Sequence, residues 1–450
     1  MDRLSAVALT AFLLPSLYGC GDTATLPADA GVGERPEIPE PVRSTLPTVH
    51  IAKAKGWTNG ATPRAAEGLS VRAFADGLDH PRWLYVLPNG DVLVAESNAP
   101  PKPDDGKGIT GWFMKQAQSR AGAGVPSANR ITLLRDADGD GVAEIRSVFL
   151  GSLYSPFGMA LVGDNFYVAN SNAVVRYPYR AGAMKISGIG TVAADLPAGT
   201  INHHWTKNII ASADGKRLYA TVGSNSNVAE NGIDKEERRA AILEIDLATG
   251  ASRVFASGLR NPNGLGWERT TGALWTVVNE RDELGSDLVP DYLTSVKDMA
   301  FYGWPYSYYG QHVDERVKPP RPDLVETAVV PDYALGAHVA PLGMVFASGK
   351  GLPARFAEGA FVGQHGSWNR QPFNGYNVVF VPFSSGRPNG KPIEVLGGFV
   401  DANDEAQGRP VGVALDATGA LLVADDVGNT IWRVTDADSV QVSSTAGPRG

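Results

Sequence analysis

The sequence predicts an all-β protein folded as a six-bladed β-propeller, and three observations carry that expectation. A short apolar strand, a Gly-containing turn and a second apolar strand ending in polar residues recur six times beyond about residue 65. Gly 52 and Pro 31 fall between short runs of Val, Leu, Ile and aromatics, as turns fall between strands. The copies are unequal and lie roughly 50 to 80 residues apart, longer than the blades of compact propeller arrays, so loop insertions are expected. A sheet with two apolar faces and an exposed edge is unstable alone, and stacking such sheets radially solves that problem. A β-sandwich or a two-domain all-β chain is the competing arrangement, but it leaves the repeat unexplained.

The first copy is Pro81-Arg82-Trp83-Leu84-Tyr85-Val86, turning at Asn89-Gly90 into Val92-Leu93-Val94-Ala95-Glu96. The second is Pro156-Phe157-Gly158-Met159-Ala160-Leu161, with Gly163-Asp164 and Phe166-Tyr167-Val168-Ala169-Asn170. A third runs from Lys207-Asn208-Ile209-Ile210 through Asp214-Gly215 to Leu218-Tyr219-Ala220-Thr221-Val222-Gly223. The fourth joins Pro262-Asn263-Gly264-Leu265-Gly266-Trp267 to Leu274-Trp275-Thr276-Val277-Val278-Asn279-Glu280. The fifth, Pro341-Leu342-Gly343-Met344-Val345-Phe346, continues more loosely into Gly359-Ala360-Phe361-Val362-Gly363. The last is Pro410-Val411-Gly412-Val413-Ala414-Leu415 followed by Leu421-Leu422-Val423-Ala424-Asp425-Asp426. Between copies lie further β-rich segments around Ile242, Val379 and Trp432.

The chain's start reads differently. Arg3, an apolar stretch from Leu4 to Tyr18 and Leu17-Tyr18-Gly19-Cys20 resemble a bacterial lipoprotein signal, too short for an ordinary membrane span. Residues 1–20 are therefore expected to be a signal peptide, with Cys20 lipidated and the protein periplasmic or on the cell surface. An ordinary signal peptide or a buried N-terminal segment is the plainer alternative. Residues 21–45, rich in Pro, Ala, Gly and acidic side chains, read as a flexible tether, and 46–440 as the propeller domain. Cys20 is the single cysteine, which excludes an internal disulfide and a Cys-rich metal site. With 40 Lys+Arg against 48 Asp+Glu, the net charge of −8 argues against a nucleic-acid partner.

Loops on one face of a propeller converge on the central channel, so polar residues flanking the repeated strands are the candidate site. His203-His204-Trp205-Thr206-Lys207, Arg260-Asn261, Gln364-His365 to Arg370 and Arg409 meet that criterion; His338 also sits in an inner loop. A histidine beside arginines suits proton abstraction next to a bound anion, because His titrates near neutrality while Arg stays charged. A separate motif, Asp136-Ala137-Asp138-Gly139-Asp140-Gly141-Val142-Ala143-Glu144, spaces oxygen ligands as a calcium loop does, Val142 offering its carbonyl. Ser147 stands where a full-length loop has its bidentate Glu, so a shorter structural calcium site is expected, with a plain acidic turn as the alternative. The aromatics Tyr302, Trp304, Tyr306, Tyr308 and Tyr309 suit equally a sugar cleft or the packing of a long loop.

His204-Trp205-Thr206-Lys207-Asn208, Gly223-Ser224-Asn225-Ser226-Asn227, Leu259-Arg260-Asn261-Pro262-Asn263-Gly264, Asn279-Glu280-Arg281-Asp282-Glu283-Leu284-Gly285, Phe301-Tyr302-Gly303-Trp304-Pro305 and Gly408-Arg409-Pro410-Val411-Gly412, in this order, resemble the glucose/sorbosone dehydrogenase family. The likeness covers about residues 65 to 436 and is nearest to its L-sorbosone dehydrogenase-like branch. It implies a six-bladed propeller that uses pyrroloquinoline quinone (PQQ) to oxidise a sugar or sugar-derived aldehyde or hemiacetal. It implies His204 as general base, Arg260 as the cation facing the quinone oxygen, and Asn261, Arg409, Asn225 and Lys207 as cofactor contacts; the family's lysine near the end of the fifth blade has no clear match, and Arg370 is the candidate substitute. It also implies a calcium ion on the backbone of the loop that starts at Glu280 and Arg281, where soluble glucose dehydrogenases carry Gly-Pro. Val411 stands where those enzymes place a second basic residue. The chain has no Cys-x-x-Cys-His, so electrons are expected to pass to a separate acceptor. A non-catalytic propeller that binds a glycan or protein is the alternative function, since fold does not fix activity. A metal-dependent lactonase would need a carboxylate-rich axial metal site that the motifs do not supply.

Overall fold

Each of the six sequence copies forms the two innermost strands of one blade. The computed structural model describes residues 21–27, 29–42, 48–101, 120–122 and 124–438. The signal segment expected over 1–20, Cys20 included, lies outside the described residues. In the first blade the order is Pro81–Val86, Val92–Glu96, Arg130–Arg135 and Ile145–Leu150, each antiparallel to the next. The same meander recurs in blades two to five, whose innermost strands are Met159–Val162, Ile209–Ala211, Asn261–Trp267 and Pro341–Phe346.

The sixth blade closes the ring. Its first three strands, Pro410–Leu415, Leu421–Asp425 and Thr430–Asp436, come from the end of the chain, and its outermost, Leu69–Ala75, comes from before the first blade. Joining the two ends of the fold in one sheet satisfies an edge that would otherwise remain open.

Second strands such as Val92–Glu96 and Leu421–Asp425 are buried at every position because both faces of each sheet meet a neighbouring blade. The buried apolar side chains of the described residues accordingly form six clusters, one between each adjacent pair of blades. Near the axis the innermost strands approach too closely for side chains. A Cβ on Gly343 would meet the Val411 carbonyl oxygen at 2.3 Å and the Val413 nitrogen at 2.7 Å, which accounts for the glycine of Pro341-Leu342-Gly343 in the fifth copy.

The insertions expected from the unequal copies are present. Between the third and fourth strands of blade four, the segment 298–332 carries the hairpin of Ser307–Tyr308 with His312–Val313 and the short helix α1, Pro322–Thr327, which has proline in its first turn. Tyr302, Trp304, Tyr308 and Tyr309 are buried inside this segment, so loop packing is what they do.

The described part of 21–45 is not a free tether. Val32–Gly33 adds a fifth strand to blade four by pairing with Leu335 and Ala334. Ala24 N donates to the Gln371 carbonyl and Val42 N to the Leu284 carbonyl, while Thr25 and Leu26 donate to Asp287. The composition that suggested disorder is compatible with order here because the strap satisfies its backbone on the propeller's loops rather than on a core of its own.

Candidate active site

Loops from several blades enclose a cavity of about 320 Å³, and the residues flanking the repeats line it: His203 and His204, Arg260 and Asn261, His365, and Arg409. His204 lies just before the innermost strand of blade three. Its Nδ1 sits 2.8 Å from the Ser224 carbonyl oxygen, and a carbonyl only accepts, so Nδ1 carries the proton and Nε2 the lone pair. Gly223 makes this possible, since a Cβ there would meet Asn261 Oδ1 at 2.4 Å and His204 Cβ at 2.5 Å. Asn261 Oδ1 is buried and accepts no hydrogen bond among the described residues.

Arg260, nearly fully buried, is held by four acceptors: the Asn227 carbonyl and Oδ1, the Glu280 carbonyl at 2.5 Å, and Asp282 Oδ2 at 2.9 Å. Its charge is therefore shared with Asp282, which also accepts from Asn369 Nδ2 at 2.8 Å. Arg409 differs. Its Nη2 donates to the Ala52 carbonyl and the Tyr376 hydroxyl, both at 3.2 Å, its Nε is buried with no partner, and no carboxylate among the described residues pairs with it. A buried guanidinium without a counter-charge is costly unless an anion completes it.

Three cavity carboxylates were not anticipated as a group. Asp291 accepts from the backbone N–H groups of Glu280 and Ala340, yet burial, with the charges of Asp282 and Glu280, pushes its carboxyl up to about 8. Glu280 turns its Oε2 to Arg281 and leaves Oε1 buried without a partner among the described residues. Arg281 is fully buried and points away, donating to the Pro305 and Ser307 carbonyls and to Asp314. Because the Glu280 carbonyl already accepts from the Arg260 guanidinium, a calcium ion there would share its oxygen with a cation. The Glu280 backbone is thus already engaged by a cation, while Glu280, Asp282 and Asp291 bring carboxylates to the same cavity.

Three further expected contacts stand behind the cavity rather than in it. Lys207 is fully buried, donating to Asn202 Oδ1 and to the His204 and Trp205 carbonyls, and burial with the Arg239 charge holds its amine well below the usual range. Asn225 secures the turn at Ile233–Glu236 through Lys235 and Glu236. Arg370 donates to the Pro372 carbonyl and faces Asp287 at 3.6 Å, while its neighbours Trp368 and Asn369 line the cavity. Among the described residues, these three side chains make their contacts with surrounding loops, which a position next to a lining residue does not reveal.

The residues missed were legible in one respect. Asp282 and Asp426 follow second strands, as His365 does, while Asp291, expected beside Asp287 as an outer-shell calcium partner or a turn cap, stands at the start of the third strand of blade four. Away from the cavity, Asp136, Asp138, Asp140 and Glu144 each bring a carboxylate oxygen within 4.8 Å of the others. Their carboxylates accept from the loop's own backbone, Gly139 and Gly141 donating to Asp136 and Val142 N to Asp140.

The ring and its axial loops coincide with a known sequence family, the TrAA12-like family, which matches residues 63–293 and 325–437. The chain belongs to the TrAA12-like family. The stretch between the two matched segments falls on the inserted loop of blade four. Among curated relatives of this TrAA12-like chain, an uncharacterized protein of Borreliella burgdorferi is 29% identical over 242 residues, 53% of this chain and 62% of that protein. The pyrroloquinoline quinone-dependent pyranose dehydrogenase of Coprinopsis cinerea is 24% identical over 361 residues, 70% of this chain and 44% of that protein. The chain thus spans less than two thirds of the length of these relatives. In fold it resembles the Trichoderma reesei Family AA12 protein in its calcium structure, with a TM-score of 0.68 at 19% identity over 84% of this chain and 100% of that one. The holo PQQ domain of the Coprinopsis pyranose dehydrogenase gives 0.65 at 21% identity over 86% of this chain and 100% of that one.

Proposed function

We propose that this TrAA12-like propeller is a quinoprotein dehydrogenase that oxidises a sugar hydroxyl, of an aldose or a sorbosone-like hemiacetal, in the axial cavity. The observation that carries the reading is Arg409, a buried cation without a counter-ion among the described residues, in a cavity also lined by His203, His204, His338 and His365. An anionic ligand completes that charge, and a planar guanidinium binds a carboxylate through two oxygens. Pyrroloquinoline quinone has such carboxylates, and Asn261 Oδ1 offers a second unfilled contact. When bound, it would supply a two-electron acceptor for hydride. The Coprinopsis relative, which bears that cofactor in its name, supports the assignment.

His204 Nε2 takes the hydroxyl proton of the substrate, and the bond from Nδ1 to Ser224 fixes the ring for that task. Arg260 provides positive charge that Asp282 and Asn227 hold in place. Calcium is assigned to the loop Asp136 to Glu144, as a structural ion rather than a catalytic one. The electron acceptor is a separate molecule, and the chain is assigned to the cell envelope through a lipid on Cys20. Loss of fatty-acid labelling in Cys20→Ala is the expected result.

The deciding experiment is a titration of the protein with PQQ and calcium, followed by a panel of aldoses. Saturable binding with sugar-dependent bleaching of the quinone is expected. No binding in the presence of excess calcium would overturn the assignment in favour of a glycan- or protein-binding propeller.

A further inference from the structure

A buried carboxylate outside the mechanism so far orients a second cavity imidazole. Asp426 directly follows the second strand of blade six, is nearly fully buried, and lies 2.9 Å from His365 Nε2. The same oxygen, Oδ2, accepts from Arg82 Nη1 and faces His80 Nε2 at 3.6 Å, while His80 Nδ1 bonds the Asp426 carbonyl at 3.1 Å. Burial opposes ionisation of Asp426, but the charges of His365, His80 and Arg82 hold its carboxyl well below the usual range. An ionised carboxylate only accepts, so His365 must carry its proton on Nε2, which leaves Nδ1 as the basic nitrogen. His365 borders the cavity, whereas His80 and Asp426 border a separate cavity beside Lys55 and Arg130. The charged groups around His365 are Asp426, Arg82, Arg409 and His80; burial lowers its imidazole, and Arg409 and Arg82 add to that against the pull of Asp426.

We propose that His365 is a second proton acceptor of the oxidation, with Asp426 as its positioning residue. This rests on the quinoprotein reading. Conversion of CH–OH to C=O breaks the C–H and O–H bonds and releases two electrons and two protons. The electrons leave by way of the quinone to the separate acceptor, and both protons must reach solvent from inside the cavity. His204 Nε2 holds the hydroxyl proton. His365 Nδ1 holds the second one, which is set free as the electrons depart. His204 and His365 are fixed from different blades, one by a carbonyl and one by a carboxylate, and His338, a third lining imidazole, is held through Nε2 at 3.0 Å from the Gly285 carbonyl.

The test has two parts. Nitrogen-15 NMR of the histidine rings in the full wild-type chain without cofactor reads the tautomer; Nε2–H with an unprotonated Nδ1 is expected for His365, and the opposite tautomer overturns the proposal. Stopped-flow absorbance of the PQQ-loaded protein then separates bleaching by sugar from recovery on adding a one-electron acceptor. In His365→Gln, recovery should slow about 100-fold with a changed pH profile while bleaching stays within about threefold. Unchanged recovery, or an equal fall in both phases, overturns it. If wild-type protein binds no PQQ, the quinoprotein reading fails and the catalytic role of His365 fails with it, and the tautomer still reports whether Asp426 orients the ring.

Discussion

At the scale of single residues, the cavity is a set of fixed protonation states. His204→Ala removes the group assigned to take the hydroxyl proton, and turnover should fall by about 100-fold or more while PQQ affinity changes little; equilibrium binding beside steady-state rates checks both halves. Arg409→Ala should do the reverse first, weakening PQQ binding by at least about tenfold, since a bidentate ion contact is lost. Asp291 offers a pH signature. Its carboxyl lies near 8 in the folded protein against 3.8 unfolded, so between those values the folded state binds the extra proton and stability falls as pH rises. The slope contributed is at most about 1.4 kcal/mol per pH unit. Asp291→Asn should flatten the decline between pH 5 and 7 in chemical denaturation; equal slopes would place Asp291 in its ionised form.

At the scale of elements, the innermost strand decides how close the blades stand. Gly343→Ala forces a methyl group against the Val411 carbonyl and should cost about 1–3 kcal/mol without altering the fold, read from denaturation midpoints. This level was the most legible in the sequence. Pro341-Leu342-Gly343 and its counterparts showed where each blade begins because apolar alternation and turn glycine are local properties. Side-chain direction is not local. Lys207 and Arg370 neighbour lining residues yet face backwards, because the orientation depends on carbonyls brought in from loop folding. Asp426 likewise became significant only when closure of the ring placed it beside Arg82 and His365 of other blades.

At the scale of the whole molecule, the sixth sheet joins residues 69–75 to residues 430–436, so every blade interface depends on that pairing. Truncation before Thr430 should abolish the single cooperative unfolding transition rather than shift it, as calorimetry would show. The strap could be read in sequence only as a polar, proline-rich stretch, since its order comes from partners more than 200 residues away, as in Thr25 with Asp287. That strap also sets a path for mechanical load. A pull applied at Gly21 runs through the hydrogen bonds of Asp22 with Ser286 and the short pairing of Val32–Gly33 before any tension reaches the closing sheet. The strap is thus a fastening separate from the closing sheet, held by hydrogen bonds and one two-residue strand pairing.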